Sequence, residues 1–269
     1  MEQGSRGRVL SIAGSDSGGG AGIQADIKTI TCLGGYAATA VTAITVQNTL
    51  GVTGVHAVPP DVVAAQIKAV LSDIGADAIK TGMLVDGPTI DAVARALVDS
   101  GTGIPLIVDP VMVAKGGARL LDAYALAALK ALIRYGATLI TPNLPEAEVL
   151  TGRKIDGVDD MHAALDDLLE LGSTAVLLKG GHLAGGEVVD IYADATTRRE
   201  WRQPKIETQH THGTGCTLAS AIATGIAQGF EMIPAIERAQ RYVRGAIETA
   251  PGFGHGNGPL NHAFGKLMD

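Results

Sequence analysis

The stretch Val9-Leu10-Ser11-Ile12-Ala13-Gly14-Ser15-Asp16-Ser17-Gly18-Gly19-Gly20-Ala21-Gly22 decides the fold. Val9–Ala13 is a short apolar run without strict alternation, as expected of a strand covered on both faces. A glycine-rich loop follows and opens onto a helical pattern. Gly20-Ala21-Gly22-Ile23-Gln24-Ala25 fits the relaxed dinucleotide fingerprint. A dehydrogenase also needs an acidic residue at the end of the next strand, and that strand ends in Gln47-Asn48. The glycines serve equally well in a tight strand-to-helix turn. There is no Walker A sequence, since Gly265-Lys266 is followed by Leu267.

Outward from this unit the same alternation repeats. Further strand-like runs are Ala38–Val46, Ala78–Thr81, Ile104–Val108, Thr138–Thr141 and Ala175–Leu178. Between them lie amphipathic helical patterns. One starts at Asp61 as N-cap after Pro59-Pro60 and carries Val63, Ile67, Val70, Leu71 and Ile74 on one face. Another starts at Asp86, with Ile90, Val93 and Leu97. A third starts at Asp122, with Leu126, Leu129, Leu132 and Ile133. Met161, Leu165, Leu168 and Leu169 mark a fourth, closed by Gly172. Val188–Ala193 and Arg199–Gln203 read as an antiparallel hairpin at one edge. Gly213–Gly229 and Ile233–Thr249 read as two long helices. Strand–helix alternation implies right-handed crossovers and a mostly parallel sheet with helices on both faces. The expected organisation is a tail over residues 1–8 and one α/β domain over 9–269.

Composition narrows the function. Of 269 residues, 46% are hydrophobic and 18% charged, which gives a sizeable core. The net charge of −7, with no basic run, argues against nucleic acid and anionic membranes as partners. Few aromatics argue against base-stacking platforms. Cys32 and Cys216 have neither zinc-site nor disulfide spacing, so a reducing compartment is expected. The first residues lack the apolar segment of a secretory signal. Residues 29–60 carry no Asp, Glu, Lys or Arg, but Gly34, Gly35, Gln47 and Asn48 interrupt them; they read as buried strands, not a membrane span.

Ligands of an open parallel sheet sit at the carboxyl ends of its strands. Polar residues follow nearly every strand: Gly14 to Gly22, Lys80-Thr81-Gly82-Met83, Asp109-Pro110, Pro142-Asn143-Leu144-Pro145-Glu146 and Lys179-Gly180-Gly181-His182. Parallel strands would bring these endings to one rim, which argues for an active site there. Thr211-His212-Gly213-Thr214-Gly215-Cys216-Thr217 opens a helix within an uncharged run, residues 208–230. Backbone N–H groups freed by glycines at a helix start make an anion hole for a transferring phosphoryl group. Cys216 in that first turn is expected to have its thiol pKa lowered from about 8.5 by the helix field. Asp109 and Glu146 could hold Mg²⁺, although each also suits a plain turn or first-turn position. Lys179 could neutralise phosphate or simply be solvated. His182, His210 and His212, without an acidic partner or metal spacing, read as ordinary structural residues.

Taken together, these blocks resemble the hydroxymethylpyrimidine/phosphomethylpyrimidine kinases of thiamine biosynthesis, within the ribokinase-like superfamily. The resemblance runs from about Val9 to His262. It rests on Ala13 to Asp26, Thr42-Ala43-Ile44-Thr45-Val46-Gln47-Asn48-Thr49, Lys80 to Leu84, Asp109-Pro110-Val111-Met112, Thr141 to Ala147, Leu178 to His182 and His212 to Thr217. It implies a three-layer α/β/α fold and ATP- and Mg²⁺-dependent phosphorylation of 4-amino-5-hydroxymethyl-2-methylpyrimidine, then of its monophosphate. Gly14, Asp26, Gln47, Met83 and Val111 match the pyrimidine pocket. Cys216 matches the catalytic base, and Gly213, Thr214 and Gly215 complete the anion hole with it. Asp109 and Glu146 match the metal region. Asn143, Lys179 and Gly181 match the nucleotide side, with Lys115, Gly116 and Gly117 as a lid. The resemblance also implies a cytoplasmic homodimer. A vitamin B6 kinase acting on pyridoxine or pyridoxal is the nearest alternative; a non-catalytic ligand sensor or an NAD-dependent oxidoreductase is more remote.

Overall fold

The structure is a computed structural model that describes residues 6–101, 103–112 and 122–264. Its strands are β1 (Arg8–Asp16), β2 (Tyr36–Asn48), β3 (Gly51–Ala57), β4 (Ala78–Thr81), β5 (Leu106–Val108), β6 (Ala137–Ile140), β7 (Ala175–Lys179), β8 (Glu187–Asp194) and β9 (Arg198–Pro204). Its helices are α1 (Gly22–Cys32), α2 (Pro60–Asp73), α3 (Gly87–Asp99), α4 (Ala123–Gly136), α5 (Leu144–Thr151), α6 (Val158–Leu169), α7 (Thr214–Ala227) and α8 (Met232–Glu248). All strands join one sheet in the order β3-β2-β1-β4-β5-β6-β7-β8-β9. Strands β2, β1, β4, β5, β6 and β7 run parallel. The expected β8–β9 hairpin closes one edge antiparallel. In addition, β3 pairs antiparallel with β2 at the other edge.

The central strands lack polar/apolar alternation because both faces are covered. Leu10, Ile12, Val108, Ile140 and Leu178 pack on one side with residues of α2 to α6, such as Ile67, Ile90, Leu132 and Leu165. Val9, Ile107, Leu139 and Leu177 pack on the other with Ile30 of α1, Ile222 of α7 and Ile236 of α8. Successive side chains of one strand therefore feed different cores, which is the three-layer arrangement.

Asp86 and Asp122 cap α3 and α4 as expected, accepting from the Thr89 and Ala125 N–H groups. Asp61 is not the cap of α2: Pro59 holds that position, and Asp61 lies in the first turn, where a carboxylate favours the helix dipole. Arg8 opens β1 and is fixed by a bidentate pair with Asp77, so the sheet begins at the last residue of the expected tail. Residues 29–60 are not uniformly buried. β3 is largely exposed, and Ile44, Val46 and Leu50 are more than half exposed. The charge-free stretch thus projects as a β2–β3 flap beyond the covered part of the sheet. No helix among the described residues is long and apolar enough to cross a membrane.

Candidate active site

The rim formed by the carboxyl ends of the parallel strands encloses a cavity of about 800 Å³. Beneath its floor lies a sealed polar cluster. Lys80 and Ser11 are cross-strand neighbours on β4 and β1. Both reach Asp26 of α1: the Lys80 ammonium lies 2.9 and 3.0 Å from the two carboxylate oxygens, and Ser11 Oγ donates at 2.6 Å. Ser220 of α7 donates at 2.6 Å to the other side. Both charged side chains are fully buried. Burial works against the Lys80 charge, but Asp26, with Cys216 and Asp109 nearby, holds the ammonium above its ordinary range. Asp26 therefore does not line the cavity as expected; two hydroxyls and an ammonium already occupy its lone pairs.

Above that floor, the loop into α7 forms one end of the cavity. Gly213 caps the helix at φ +87°, and a Cβ there would collide with the Gly20 carbonyl oxygen, so only glycine lets the two loops meet. Gly213, Thr214, Gly215 and Cys216 all line the cavity. The Cys216 thiol is pushed up to about 11, opposite to the expected direction. Burial is the main cause; Asp26 and Asp109 add to it, while Lys80 and the Gly22 N–H oppose it. The helix field alone is outweighed by desolvation and two carboxylates.

Facing α7, Lys179 at the end of β7 donates to Asp109 Oδ1 at 3.0 Å, and Thr141 Oγ1 donates to the same oxygen at 3.1 Å. A Cβ on Gly215 would lie 3.2 Å from Lys179 Nζ, so the helix start and this pair share one spot. Lys179 is not a solvated lysine: its side chain is 13% exposed. Burial works against its charge, but Asp109 and Glu146 keep it above the ordinary range. Glu146 and Asn143 form a capping box at the start of α5, with Glu146 Oε2 accepting from Asn143 N–H at 2.8 Å and Asn143 Oδ1 from Glu146 N–H at 2.9 Å. Burial, then Asp109, pushes the Glu146 carboxyl up to about 7, with Lys179 opposing.

The opposite end is apolar. Gly14, Met83 and Val111 line it with Val52 and Val55 of the flap. A Cβ on Gly14 would overlap Met83 Cε, so the missing side chain makes room at this wall. Gln47 is the polar group in it. Its backbone is clasped by Ser17, whose Oγ accepts from Gln47 N–H at 2.9 Å and donates to Gln47 O at 2.7 Å. Gln47 Nε2 lies 3.1 Å from His212 Nε2, and Gln47 Oε1 lies 3.1 Å from Thr45 Oγ1. His212 is not partnerless: Nε2 is 2.9 Å from Asp16 Oδ2. Asp16 also accepts from the N–H groups of Gly18, Gly20 and Ala21. Burial opposes its ionisation, yet the His212 and backbone bonds hold its carboxyl below the ordinary range.

Fourteen of the fifteen residues expected at the site are described, and all but Asp26 line this cavity. Lys115, like Gly116 and Gly117, lies outside the described residues. Sequence reasoning missed Lys80, Asp16, Thr45 and His212 as partners. The signal for Lys80 is a lysine inside the apolar strand Ala78–Thr81. It also missed an apolar extension past Gly181, lined by Val188, Trp201, Val243 and Ile247 with Asp190 and Gln240. These come from the hairpin and α8, where no loop motif draws the eye.

A family model described as phosphomethylpyrimidine kinase matches residues 16–261. The chain is 53% identical over 257 residues to the thiamine biosynthesis bifunctional protein ThiED of Geobacter sulfurreducens, covering 96% of this chain but only about half, 52%, of that protein. It is 47% identical over 256 residues to the hydroxymethylpyrimidine/phosphomethylpyrimidine kinase of Bacillus subtilis, covering 95% of this chain and 94% of the relative. The solved pyridoxal kinase of Staphylococcus aureus, in complex with AMP-PCP and pyridoxal, superposes with a TM-score of 0.87 at 33% identity, covering 98% of this chain and 96% of that one. With a family model spanning most of its length and a full-length relative at nearly half identity, the chain belongs to the phosphomethylpyrimidine kinase family.

Proposed function

We propose that this chain transfers the γ-phosphoryl group of ATP to the hydroxymethyl oxygen of 4-amino-5-hydroxymethyl-2-methylpyrimidine, and then a second one to the monophosphate. One observation carries the reading: a single cavity joins a ring-sized apolar end bearing Gln47 to an anion-binding end bearing Gly213–Cys216, Lys179 and Asp109. Phosphoryl transfer passes through a loose transition state, so positioning and charge stabilisation should supply most of the rate. Met83, Val111 and Gly14 shape the ring slot, and Gln47 offers a donor and an acceptor to the ring edge. The N–H groups at the start of α7 face the migrating phosphoryl oxygens. Lys179 and Asn143 face the nucleotide phosphates, and the groove past Gly181 takes the nucleoside. Cys216 is the group placed to receive the hydroxymethyl proton.

Asp109 and Glu146 fit Mg²⁺. Burial first and the neighbouring Asp109 carboxylate second raise Glu146, and a divalent cation held between the two carboxylates would offset both. Among the described residues no cluster of three or more His, Cys, Asp and Glu side chains is placed to hold a metal alone. Phosphate oxygens would complete the coordination, as is usual for this ion. Bound there, Mg²⁺ supplies charge neutralisation between phosphates.

Residues 9–269 act as one kinase domain in this reading. Ile44 and Val46 alternate with the cavity-lining Thr45 and Gln47 and are exposed on the outer face of β2, which favours a homodimer. The two free cysteines suit the cytoplasm. A vitamin B6 kinase is the second reading, favoured by the superposition on the pyridoxal kinase. Purified protein with ATP and the free pyrimidine decides between them. Two phosphates transferred per pyrimidine, with kcat/KM above that for pyridoxine, is the expected result; the reverse preference overturns the proposal.

A further inference from the structure

A carboxylate can only accept hydrogen bonds, and Asp16 is held in that form by three backbone N–H groups. His212 Nε2, 2.9 Å from Asp16 Oδ2, must therefore carry a hydrogen. The same nitrogen lies 3.1 Å from one end of the Gln47 amide. With the amide nitrogen at that end, N–H would face N–H. An amide's oxygen and nitrogen have the same shape, so the hydrogen-bond network decides which end is which. Turned over, the amide removes that clash. Its oxygen then shares the His212 Nε2 hydrogen with Asp16 in a three-centre bond. Its nitrogen faces Thr45 Oγ1, which gives its own hydrogen to the Ser15 carbonyl at 2.8 Å and keeps lone pairs to accept one. Thr45 could serve either orientation, because a hydroxyl both donates and accepts. His212 could not.

We infer that His212, oriented by Asp16, is a positioning residue that fixes the polarity of the Gln47 amide and so selects rings with an amino donor beside a ring-nitrogen acceptor. The inference rests on the functional reading above and names the feature of substrate that the site tests. An aminopyrimidine edge offers donor then acceptor. The corresponding 4-oxo ring offers acceptor then donor, the same shape with reversed polarity. A site built to hydrogen-bond one edge rejects the other, since reversal sets like against like.

The experiment compares kcat/KM for the 4-amino and 4-oxo hydroxymethylpyrimidines in wild type, His212→Leu and His212→Gln. Glutamine carries an N–H at nearly the reach of histidine Nε2. Wild type should prefer the amino ring by about 100-fold or more. His212→Leu frees the amide to turn, and the preference should shrink at least about tenfold, through KM for the ring and not KM for ATP. His212→Gln should restore it. A uniform loss for both rings, with their ratio unchanged, would reduce His212 to scaffolding and overturn the inference. Should His212→Leu fail to fold, ¹⁵N NMR of the wild-type imidazole still decides: a protonated Nε2 supports the assignment and a bare Nε2 overturns it. Failure of the functional reading is visible in wild type alone, as absent turnover of the amino ring, and takes this inference with it.

Discussion

Two aspartate–lysine pairs lie at different depths under one rim of the sheet. Asp26 and Lys80 are fully buried, and the carboxylate takes two further hydroxyl donors. Asp109 and Lys179 are nearly as enclosed, but their lysine is 13% exposed and both residues line the cavity. The charges are the same and the N···O distances differ by only 0.1 Å, at 2.9 and 3.0 Å. What differs is spare valence. A saturated pair can only hold α1, β4 and α7 together, whereas a pair open to a cavity can exchange one partner for a ligand. Cys216, whose thiol is raised chiefly by burial, feels both pairs, Lys80 lowering its pKa and Asp26 and Asp109 raising it.

The sharpest way to break this comparison is to remove the group that feels both pairs. Cys216→Ala is expected to lower kcat by about 10²–10⁴-fold, roughly 3–5 kcal/mol of barrier, while the melting temperature moves by no more than a few degrees. With the thiol at about 11, its ionised fraction grows roughly tenfold per pH unit across pH 7–9. Wild-type kcat should climb over that range and the variant's should stay flat. A variant retaining near wild-type kcat removes the assigned proton acceptor.

Next in size is the sealed pair. Lys80→Met leaves the Asp26 carboxylate buried without its cation and should cost about 3–5 kcal/mol of stability in denaturant unfolding. Adding Asp26→Asn should recover most of that loss, because an uncharged amide can accept from one serine hydroxyl and donate to the other. If the single variant unfolds like wild type, the cluster is not the structural element claimed for it.

This contrast also marks what could be read from sequence. The strand runs Ala78–Thr81 and Ala175–Leu178 and the caps Asp86 and Asp122 were legible because local pattern and chemistry suffice. The glycine-flanked start of α7 was legible as a helix start because a glycine before the first turn suits a positive-φ cap. Asp26 was misplaced because nothing local shows that Ser11, Lys80 and Ser220, from three separate elements, converge on it. The direction of the Cys216 shift was missed for the same reason: the helix field is a local property, whereas two carboxylates and a buried wall are tertiary ones. His212 looked partnerless because its acid, Asp16, is 196 positions away. β3 was not separated from β2 because its glycines and exposed faces give no core-facing stripe.

A smaller effect lies beside the open pair. Glu146 has its folded-state pKa raised to about 7, by burial first and by Asp109 second, from an ordinary 4.5. The folded state therefore holds a proton that the unfolded chain releases, and wild-type stability falls as pH rises from about 4.5 to 7. Glu146→Gln keeps an acceptor for the Asn143 N–H and has no charge to bury. It should be more stable than wild type by roughly 2–3 kcal/mol at pH 8, with the gain gone below pH 4.5. Equal stability at both pH values would mean that Asp109 and water leave the carboxylate unstrained.

A smaller loss of stability than at the sealed pair is expected at the open pair itself. Lys179→Met orphans Asp109, but cavity water can reach that carboxylate and Thr141 Oγ1 still donates to it. The cost should be about 1–2 kcal/mol, between the values for exposed and sealed pairs. Activity should suffer more than fold, with KM for ATP raised as the lysine's charge is lost from the phosphate end. Unfolding and kinetics measured on one preparation separate the two effects. If Lys179→Met proves as destabilising as Lys80→Met, water does not reach Asp109, and openness to the cavity is not what distinguishes the two pairs.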